Sequence, residues 1–512
     1  MLIILSSAYA ISELRSEFGD LPPAFLPIGN QPLYKLQVAF GERYFNDIVL
    51  TVPDNFELHR IDSDFFHEHH VKVLPLPAHL SLGEALLRVL VSLRSDGPVS
   101  ILFGDTLFEG LTPTKDSLVI GKSNENYDWQ VDESGEPNIW AGFFSFSDAY
   151  LLILSLLQSD RMFVDAVRKY EASILIQRVF ASAWYDLGHM HTYFLSKQQF
   201  TTERFFNDLT IRDNVIRKIS QNDSKIYAEG QWFKQAPKTI KKFTPQLIDF
   251  GVDSGGKSFY ELEYLPLPSL SELFVYGRLP SKTWETIFHS CISFLESALA
   301  VPIESTWTTE DSFALYKQKT LDRLEVFIQH NQDVNMLNTW VINGKPVPCL
   351  IDIIERCWEV LCLEPAIDSF IHGDFCFSNI LYDSRLQRIK VIDPRGLSSD
   401  GELSSCGDLR YDIAKLAHSA IGLYDFIVAE HFSFCRDAHQ IDFKFDVNRH
   451  YIDQITDTFL DLRLGGVAMR ERNIQAQLVL LFLSMLPLHQ DKPNRQKGFF
   501  ANALRIFSES GL

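Results

Sequence analysis

The sequence predicts two parts: an α/β domain with a doubly wound, mostly parallel sheet over residues 1–195, then a bilobal α+β domain over residues 200–512. Three observations lead to this prediction. Short apolar runs alternate with helical stretches near the N-terminus, residues 205–265 are rich in strand patterns, and most of the chain after residue 266 has helical periodicity. The second part would therefore have a small lobe at 200–265 and a large one at 266–512.

The predicted elements of the first part are LIILSS, DIVLTV, VKVLPL, a helix from Leu82 to Leu93, and VSILFGD. The polar stretch SKQQFTTE, residues 196–203, marks the predicted boundary. In the second part VIRKIS, QLIDFGV and SFYELEYL read as strands, whereas KIYAEGQWF, KQKTLDRLEVFIQH and DIAKLAHSAIGLYDFI read as helices. The run from Leu478 to Leu488 is too short to span a bilayer, so we expect a core helix there.

Composition narrows the function classes. A formal charge of −19 over 512 residues argues against nucleic acid or an anionic membrane as a main partner. All seven cysteines lie at or beyond Cys291 without a CxxC pair, which favours reduced thiols and a cytoplasmic location. The opening MLIILSSAYA lacks a positively charged leading region, so a buried first strand is a better interpretation than a signal peptide.

The segment from Ile371 to Gly396, IHGDFCFSNILYDSRLQRIKVIDPRG, carries the chemistry. It contains a His-x-Asp, an Asn five residues after that Asp, and a second Asp after the strand-like RIKVID. A phosphoryl-transfer site needs these groups: Asp374 to orient and deprotonate a hydroxyl, and Asn379 and Asp393 to hold Mg²⁺ on a triphosphate. We expect His372 to support the loop by packing and hydrogen bonds rather than to transfer protons.

This segment resembles the catalytic and metal loops of the aminoglycoside phosphotransferase and choline kinase family, relatives of the protein kinases. The resemblance implies a protein-kinase-like fold, ATP and Mg²⁺ as cofactors, and a cation on the nucleotide phosphates. Lys218 and Glu229 match in order the family's strand lysine and helix glutamate, with Arg217 as the alternative cation. On pattern alone, a surface lysine and a solvated glutamate would fit equally well.

Two further segments bear on the same resemblance. The turn expected at NDLTIRDN, 207–214, contains no glycine, so no glycine-rich loop is expected over the phosphates. GDLRYDIAKL matches the family's segment after the metal Asp, and there Asp408 and Asp412 would brace the catalytic loop. Arg395 would reach either a phosphate or a substrate carboxylate, or else form a structural ion pair.

In the first part, LPPAFLPIGNQPLYKLQVAF resembles a segment of sugar-phosphate and phosphocholine nucleotidyltransferases. The resemblance implies that Asp105, which ends VSILFGD, and Asp186, in SAWYDLGHMHTYF, are metal carboxylates, and that CTP or another nucleoside triphosphate binds. The family's Gly-x-Gly-Thr-Arg loop is missing, and its lysine is Ala24 here. Arg15 or Lys35 could substitute, but neither position matches, so we expect nucleotidyl transfer to be weak or absent.

Three hypotheses follow. The leading one is a small-molecule kinase acting on a sugar or a choline- or ethanolamine-like alcohol, fused to a nucleotidyltransferase-like domain and making precursors of surface polysaccharide or lipid headgroups. The second keeps the kinase and makes the first domain a binding or regulatory module. The third is a binding protein without activity. The histidines of HEHH, residues 67–70, are expected to lie in a solvated loop rather than a metal site.

Overall fold

The computed structural model describes residues 1–123, 125–132, 138–200, 207–220, 223–303, 307–398 and 401–512. The chain separates into two compact units. The first comprises Met1–Thr202 with Tyr276–Arg278, and the second comprises Glu203–Val275 with Leu279–Leu512.

The first unit is an α/β structure. Its strands are β1 Leu2–Leu5, β2 Pro27–Ile28, β3 Gln31–Pro32, β4 Ile48–Pro53, β5 Val71–Leu76, β6 Val99–Phe103, β7 Thr106–Glu109, β8 Ser117–Gly121, β9 Val131–Asp132, β10 Asn138–Phe146, β11 Gln177–Val179 and β12 Ala183–Asp186. Its helices are α1 Ser12–Phe18, α2 Leu33–Gly41, α3 Arg60–Glu68, α4 Leu82–Ser92, α5 Ala149–Gln158, α6 Phe163–Glu171 and α7 Met190–Gln199, with a short 3-10 turn at Pro23–Phe25.

The main sheet of this unit has the order β11-β8-β10-β6-β1-β4-β5, with β9 paired to β10. Strand β1 runs parallel to both β4 and β6, and β10 runs antiparallel to its neighbours. The apolar opening of the chain is therefore a buried interior strand, which explains why every residue of LIIL is hydrophobic. The predicted strands DIVLTV, VKVLPL and VSILFGD correspond to β4, β5 and β6, and the helix predicted from Leu82 to Leu93 corresponds to α4, Leu82–Ser92.

The histidine cluster differs from its prediction. His67 lies in the last turn of α3, not in a loop, and the His69 Nδ1 atom is 2.7 Å from a carboxylate oxygen of Glu42. Buried Phe66 packs on the core side of α3, which ends at Glu68, so His67 is inside the helix while His69 and His70 follow its end. Among the described residues, no group of three or more His, Cys, Asp or Glu side chains could hold a metal.

The second unit contains the remaining elements. Its strands are β13 Asn207–Arg212, β14 Val215–Ser220, β15 Leu247–Val252, β16 Ser258–Glu263, β17 Trp340–Ile342, β18 Lys345–Val347, β19 Asp368–Phe370, β20 Ile380–Asp383, β21 Arg388–Val391, β22 Cys406–Asp408, β23 Phe432–Asp437, β24 Gln440–Phe445, β25 Arg463–Leu464 and β26 Val467–Ala468. Its helices are α8 Asp223–Gln235, α9 Lys238–Lys241, α10 Leu270–Val275, α11 Ser281–Leu299, α12 Thr309–Ser312, α13 Lys319–His330, α14 Leu350–Leu361, α15 Leu409–Ala420, α16 Tyr424–Val428, α17 Arg449–Asp461, α18 Ile474–Met485 and α19 Pro493–Ser510. A π-helical turn occupies Phe313–Gln318, and 3-10 turns occupy Phe377–Asn379, Met469–Glu471 and Leu486–His489.

The unit begins with a four-stranded antiparallel sheet of order β13-β14-β16-β15, against which α8 packs. The stretch 207–214, predicted to be a turn, is mostly strand β13. The chain reverses only at Asp213 and Asn214, both with positive φ (49° and 60°), which is the geometry of a two-residue hairpin. Asp and Asn tolerate this region, so the turn forms without glycine.

The rest of the unit is mainly helical. The core helix predicted at 478–488 is present as α18, Ile474–Met485, whose residues are all buried except Gln475; the chain continues as a 3-10 turn in which Leu488 is exposed. The prediction missed a second sheet of order β18-β17-β24-β23. Residues Gln440–Phe445 alternate strictly between exposed and buried, a period of two that was readable as a strand. All seven cysteines are free, and no helix in the described ranges is long and apolar enough to cross a membrane.

Gly396 should be intolerant of any side chain. It has a φ of +64°, and a Cβ there would lie 2.3 Å from the Ala228 carbonyl oxygen on α8. Gly396→Ala should lower the free energy of unfolding by more than the ~1 kcal/mol that positive φ alone costs. The matched control is Gly256→Ala, which has a φ of +79° and open space around the Cβ position. Equal midpoints of chemical unfolding for the two variants would show that the approach of Gly396 to α8 is not tight.

Candidate active site

The loop that follows β19 is held by one buried carboxylate. Asp412, in the first turn of α15, accepts the backbone N–H of His372 at 2.7 Å and that of Gly373 at 2.8 Å. Gly373 has a φ of +79°, and a Cβ there would lie 2.7 Å from the Arg395 Cβ, so only glycine fits. Burial raises the pKa of Asp412 to about 7, although the two backbone N–H groups lower it. Asp412 thus fixes the backbone immediately before Asp374.

His372 connects this loop to the loop that carries Asp393. Its Nε2 atom lies 3.0 Å from the Ile392 carbonyl oxygen, and its Nδ1 atom accepts the Asp374 backbone N–H at 3.3 Å. Since Nδ1 accepts, Nε2 carries the proton and donates it to Ile392. Burial lowers the pKa of His372 to about 4. The ring is therefore a neutral structural link, in line with the role expected for it.

Asp374 contacts two side chains in the cleft. Its Oδ1 lies 2.9 Å from the Lys415 Nζ of α15, and its Oδ2 accepts from the Asn379 side-chain amide at 3.0 Å. The same amide donates to the Asp374 carbonyl oxygen at 2.9 Å, which closes the loop between the two residues. These bonds occupy the nitrogen of Asn379 and leave the role of a metal ligand to its oxygen.

Asp393 lies just after β21 in a strained conformation. Its φ is +56°, a region that residues other than glycine seldom adopt, and such strain clusters at functional sites. Its carboxylate lies 3.0 Å from the Lys218 Nζ atom and accepts from the Tyr260 hydroxyl at 3.5 Å. Its side chain is 33% exposed, so the carboxylate is accessible from the cleft.

Lys218 and Glu229 form the predicted pair. The Lys218 Nζ atom of β14 lies 2.8 Å from a Glu229 carboxylate oxygen of α8, and the two residues are 3% and 0% exposed. Burial lowers the pKa of Lys218, but the carboxylates of Asp393 and Glu229 raise it above its usual value, so the ammonium stays charged. The alternative of a surface lysine and a solvated glutamate is wrong.

Arg217, the alternative cation, does not join this group. Successive side chains of a strand point to opposite faces, so Arg217 points away from Lys218. Its guanidinium pairs with Glu261 at 2.7 Å and stacks on Phe259, 3.8 Å from the ring centre. Arg217 therefore forms its ion pair with Glu261 on the face of the sheet opposite Lys218.

Asp408 and Arg395 also differ in part from expectation. Asp408 caps α15, forms a buried pair with Arg410 at 2.7 Å and accepts the Ile367 N–H at 3.1 Å, so it anchors the start of β19 rather than the catalytic loop. The Arg395 backbone N–H donates to the His372 carbonyl at 2.9 Å. Within the described residues no carboxylate pairs with the Arg395 guanidinium, which leaves the phosphate or substrate-carboxylate alternative.

The donor set near Asp374 fits Mg²⁺. Asn379 and Asp393 offer amide and carboxylate oxygens, the hard ligands that this ion prefers, in a partly open cleft. The described residues contain no all-protein cage of three acidic or histidine ligands, and Mg²⁺ in nucleotide sites usually takes its remaining ligands from phosphates and water. The residues present therefore match a metal bound together with a nucleotide.

Sequence reasoning missed several residues of this cleft. Lys415 contacts Asp374, and Tyr260 donates to Glu229 at 2.7 Å. Lys415 lies three residues after Asp412 on α15, so the two share a helix face. This spacing was the one indication in the sequence that Lys415 lies near the loop of Asp374. Tyr411 lies in the matched segment GDLRYDIAKL but was given no role. Lys319 and Arg323 of α13 belong to no motif and come close to Tyr411 only through the tertiary fold.

In the first unit, Asp105 and Asp186 converge. A Cβ on Gly188 would lie 2.5 Å from a carboxylate oxygen of Asp105 and 3.4 Å from one of Asp186. Burial, followed by the charge of Asp186, raises the pKa of Asp105 to about 6. Both residues line a cavity of about 670 Å³ at the ends of β6 and β12. Arg161 and Arg168 line it as well, and neither was expected from sequence.

The expected substitutes for the missing lysine lie elsewhere in this unit. Arg15 pairs with Asp20 at 2.7 Å, and the Lys35 ammonium lies 5.4 Å from the centre of the Phe65 ring. Neither lines the cavity of Asp105. Ala24 is 0% exposed, and its backbone N–H donates to the Ser6 hydroxyl at 3.0 Å, so this packing has no room for a longer side chain.

Comparisons with known proteins find similarity among solved structures. No protein-family model and no curated protein matches the chain. A GDP complex of wild-type aminoglycoside 2'-phosphotransferase-IIIa is 14% identical, covers 61% of this chain and 92% of its own, and gives a TM-score of 0.40. A thermostable mutant of aminoglycoside phosphotransferase APH(4)-Ia with AMP-PNP and hygromycin B is 13% identical, over 60% of this chain and 92% of its own, with a TM-score of 0.37.

An inositol-1-phosphate CTP transferase from T. maritima is 14% identical, covers 39% of this chain and 95% of its own, and gives a TM-score of 0.31. The solved structures similar to the chain thus include aminoglycoside phosphotransferases and nucleotidyltransferases, the two classes that its sequence resembles. With TM-scores of 0.40 and below, none of these similarities assigns the chain a family or a function.

Proposed function

We propose that the second unit is a kinase that transfers the γ-phosphate of ATP to a hydroxyl of a small molecule. The observation that carries this proposal is the convergence of Asp374, Asn379 and Asp393 with the buried Lys218–Glu229 pair in one cleft. These are the parts that phosphoryl transfer requires: a base, oxygen ligands for a metal, and a fixed cation for the phosphates. A non-enzymatic binding protein would not need Asp393 in a left-handed conformation.

In the proposed reaction the Asp374 carboxylate takes the proton of the acceptor hydroxyl. The hydroxyl oxygen forms a bond to the γ-phosphorus, the bond from that phosphorus to the β–γ bridging oxygen breaks, and ADP leaves with the electron pair. Lys218, held by Glu229, would bind the α and β phosphates. Mg²⁺, held by the Asn379 oxygen and Asp393, would neutralise charge on the triphosphate when bound.

Asp374→Asn should lower the phosphoryl-transfer rate by ~10²–10⁴-fold, because the amide keeps the shape and cannot accept the proton. ATP affinity and the unfolding midpoint should stay close to wild type. The measurement is ADP formation with a panel of alcohols, followed by a coupled assay. Asp442→Asn, an exposed position on β24, is the matched control. Wild-type turnover in the Asp374 variant would remove this residue from the mechanism.

Asp393→Ala should weaken ATP binding in the presence of Mg²⁺ and leave binding in EDTA nearly unchanged, because a metal ligand is lost while the Lys218–Glu229 pair remains. Isothermal titration with ATP under both conditions separates the two effects. Asp393→Asn, which keeps one oxygen ligand, should fall between the Ala variant and wild type. Equal ATP affinity in Mg²⁺ for all three proteins would mean that another residue is the principal ligand.

For the first unit we propose a nucleotide or sugar-phosphate binding site at Asp105 and Asp186, with little or no nucleotidyl transfer. The two carboxylates and the two arginines of the cavity suit a divalent ion and a phosphate. The buried Ala24, in place of a lysine, removes the cation that would offset transition-state charge. The alternative is a bifunctional enzyme that activates the kinase product for surface polysaccharide or lipid headgroups.

The cytoplasmic location stays a prediction, supported by the free cysteines.

The full chain carrying Asp374→Asn separates these alternatives, because its kinase reaction is silenced. With Mg²⁺, CTP, UTP or dTTP, and glucose 1-phosphate or phosphocholine, we expect nucleotide binding without steady pyrophosphate release. Adding Asp105→Asn should weaken that binding, since it removes a candidate metal ligand. Rapid pyrophosphate release from the Asp374→Asn chain would instead establish the bifunctional enzyme.

A further inference from the structure

Four cations lie on the segments around Tyr411 and Asp374, and we call them the cationic cluster: Lys319, Arg323, Arg395 and Lys415. Lys319 and Arg323 lie one turn apart on α13, and Lys415 lies one turn after Tyr411 on α15. The Lys319 ammonium donates to the Tyr411 hydroxyl at 3.5 Å. The ammonium groups of Lys319 and Lys415 lie 5.4 and 6.0 Å from the centre of the Tyr411 ring.

The charged groups of the cluster shift the pKa values of Lys319 and Tyr411. Burial lowers the pKa of Lys319 to about 8, helped by the charges of Arg395, Arg323 and Lys415, against a smaller opposing effect of Tyr411. Burial raises the pKa of Tyr411, but Lys319, Lys415 and Arg395 outweigh it and bring that pKa down to about 8. The contacts place Lys319 and Lys415 against the Tyr411 ring. Arg323 lies one turn after Lys319 on α13, and the Arg395 backbone is bonded to the loop that carries Asp374.

The cluster lacks matching negative charge. In the described part of the chain, the one carboxylate within ion-pair distance of any of its cations is Asp374, which is 2.9 Å from Lys415. The Arg323 guanidinium donates only to the Ser484 carbonyl oxygen, at 3.0 Å. Like charges one helical turn apart repel, and burying a cation without a partner costs free energy. This arrangement stands out in a chain whose formal charge is −19.

We propose that the cluster binds an anionic group of the acceptor, so that the substrate of the kinase is an alcohol bearing a carboxylate or a phosphate. This inference rests on the proposed kinase function and narrows its substrate class. Arginine and lysine side chains are the usual partners of both anions, and arginine binds them through two parallel hydrogen bonds. Lys415 contacts Asp374 directly, so an anion bound in the cluster lies beside the base that must reach its hydroxyl. Cationic alcohols such as choline and ethanolamine would be repelled.

The test uses the full chain with ATP and Mg²⁺ and pairs of acceptors that differ in charge. D-glycerate is compared with glycerol, D-gluconate with D-glucitol, and glucose 6-phosphate with glucose, while choline and ethanolamine complete the panel. Products are detected by phosphorus NMR and mass spectrometry. We expect kcat/KM to be at least tenfold higher for the charged member of at least one pair, and the pair that responds distinguishes carboxylate from phosphate.

Arg323→Gln and Lys319→Gln should each raise the KM for the responding acceptor about tenfold or more and leave the KM for ATP within about twofold. The matched control is Lys345→Gln, an exposed lysine of β18, which should change neither constant. Unfolding midpoints show whether each variant is folded. The expected rise in the KM for the acceptor in one folded variant is enough to support the inference. A rise in the KM for ATP instead would overturn the inference and assign the cluster to the nucleotide.

Failure of this inference and failure of the kinase proposal give different results. If the chain phosphorylates neutral or cationic alcohols as well as anionic ones, in an Asp374-dependent reaction, the kinase stands and the anionic acceptor is overturned. If the chain phosphorylates no member of the panel and hydrolyses no ATP in an Asp374-dependent reaction, the kinase proposal fails, and the anionic acceptor fails with it.

Discussion

The geometry of the cleft around Asp374 depends on the two hydrogen bonds that the buried Asp412 carboxylate accepts from consecutive backbone N–H groups, those of His372 and Gly373. They fix the direction in which the chain enters Asp374. The His372 ring then passes the constraint to Ile392, so that Asp374 and Asp393 are positioned by one connected set of bonds. Asp412 is fully buried, and its removal would leave two buried donors unpaired.

The parts of the site that the sequence predicted are those fixed by local spacing. Asp374 and Asn379 close one short loop, and Asp393 follows directly on a strand, so a motif can place all three. Lys218 and Glu229 were predicted from the resemblance, since the pattern alone fitted a surface lysine and a solvated glutamate equally well, and the two residues pair in the structure. The predicted strands and helices of the first unit followed from apolar runs and helical periodicity in the same way.

What the sequence did not predict depends on contacts between distant segments. Lys415 lies one turn after Tyr411 on α15, but Lys319 is far away in the chain and reaches Tyr411 only through the packing of α13 in the large lobe. Arg161 and Arg168 reach the cavity of Asp105 through helix packing that no motif marks. The stretch 207–214 was predicted to be a turn, but only Asp213 and Asn214 form the turn of the hairpin, and the rest is strand β13. Both residues adopt a positive φ, where a glycine would usually mark the position of the turn.

The position of Lys415 has a consequence for turnover as well as for recognition. Its ammonium belongs to the cationic cluster and also pairs with the Asp374 carboxylate. It keeps its proton, because burial lowers its pKa but Asp374 and Tyr411 together raise that pKa by more. In the proposed reaction, protonation of Asp374 by the acceptor hydroxyl would weaken the attraction between Asp374 and Lys415 and release the ammonium towards the phosphate that forms on the acceptor. That phosphate would add negative charge beside Arg395 and Lys415. We therefore expect the cluster to hold the product of the proposed kinase more tightly than the substrate, and product release to be a slow step that high ionic strength accelerates.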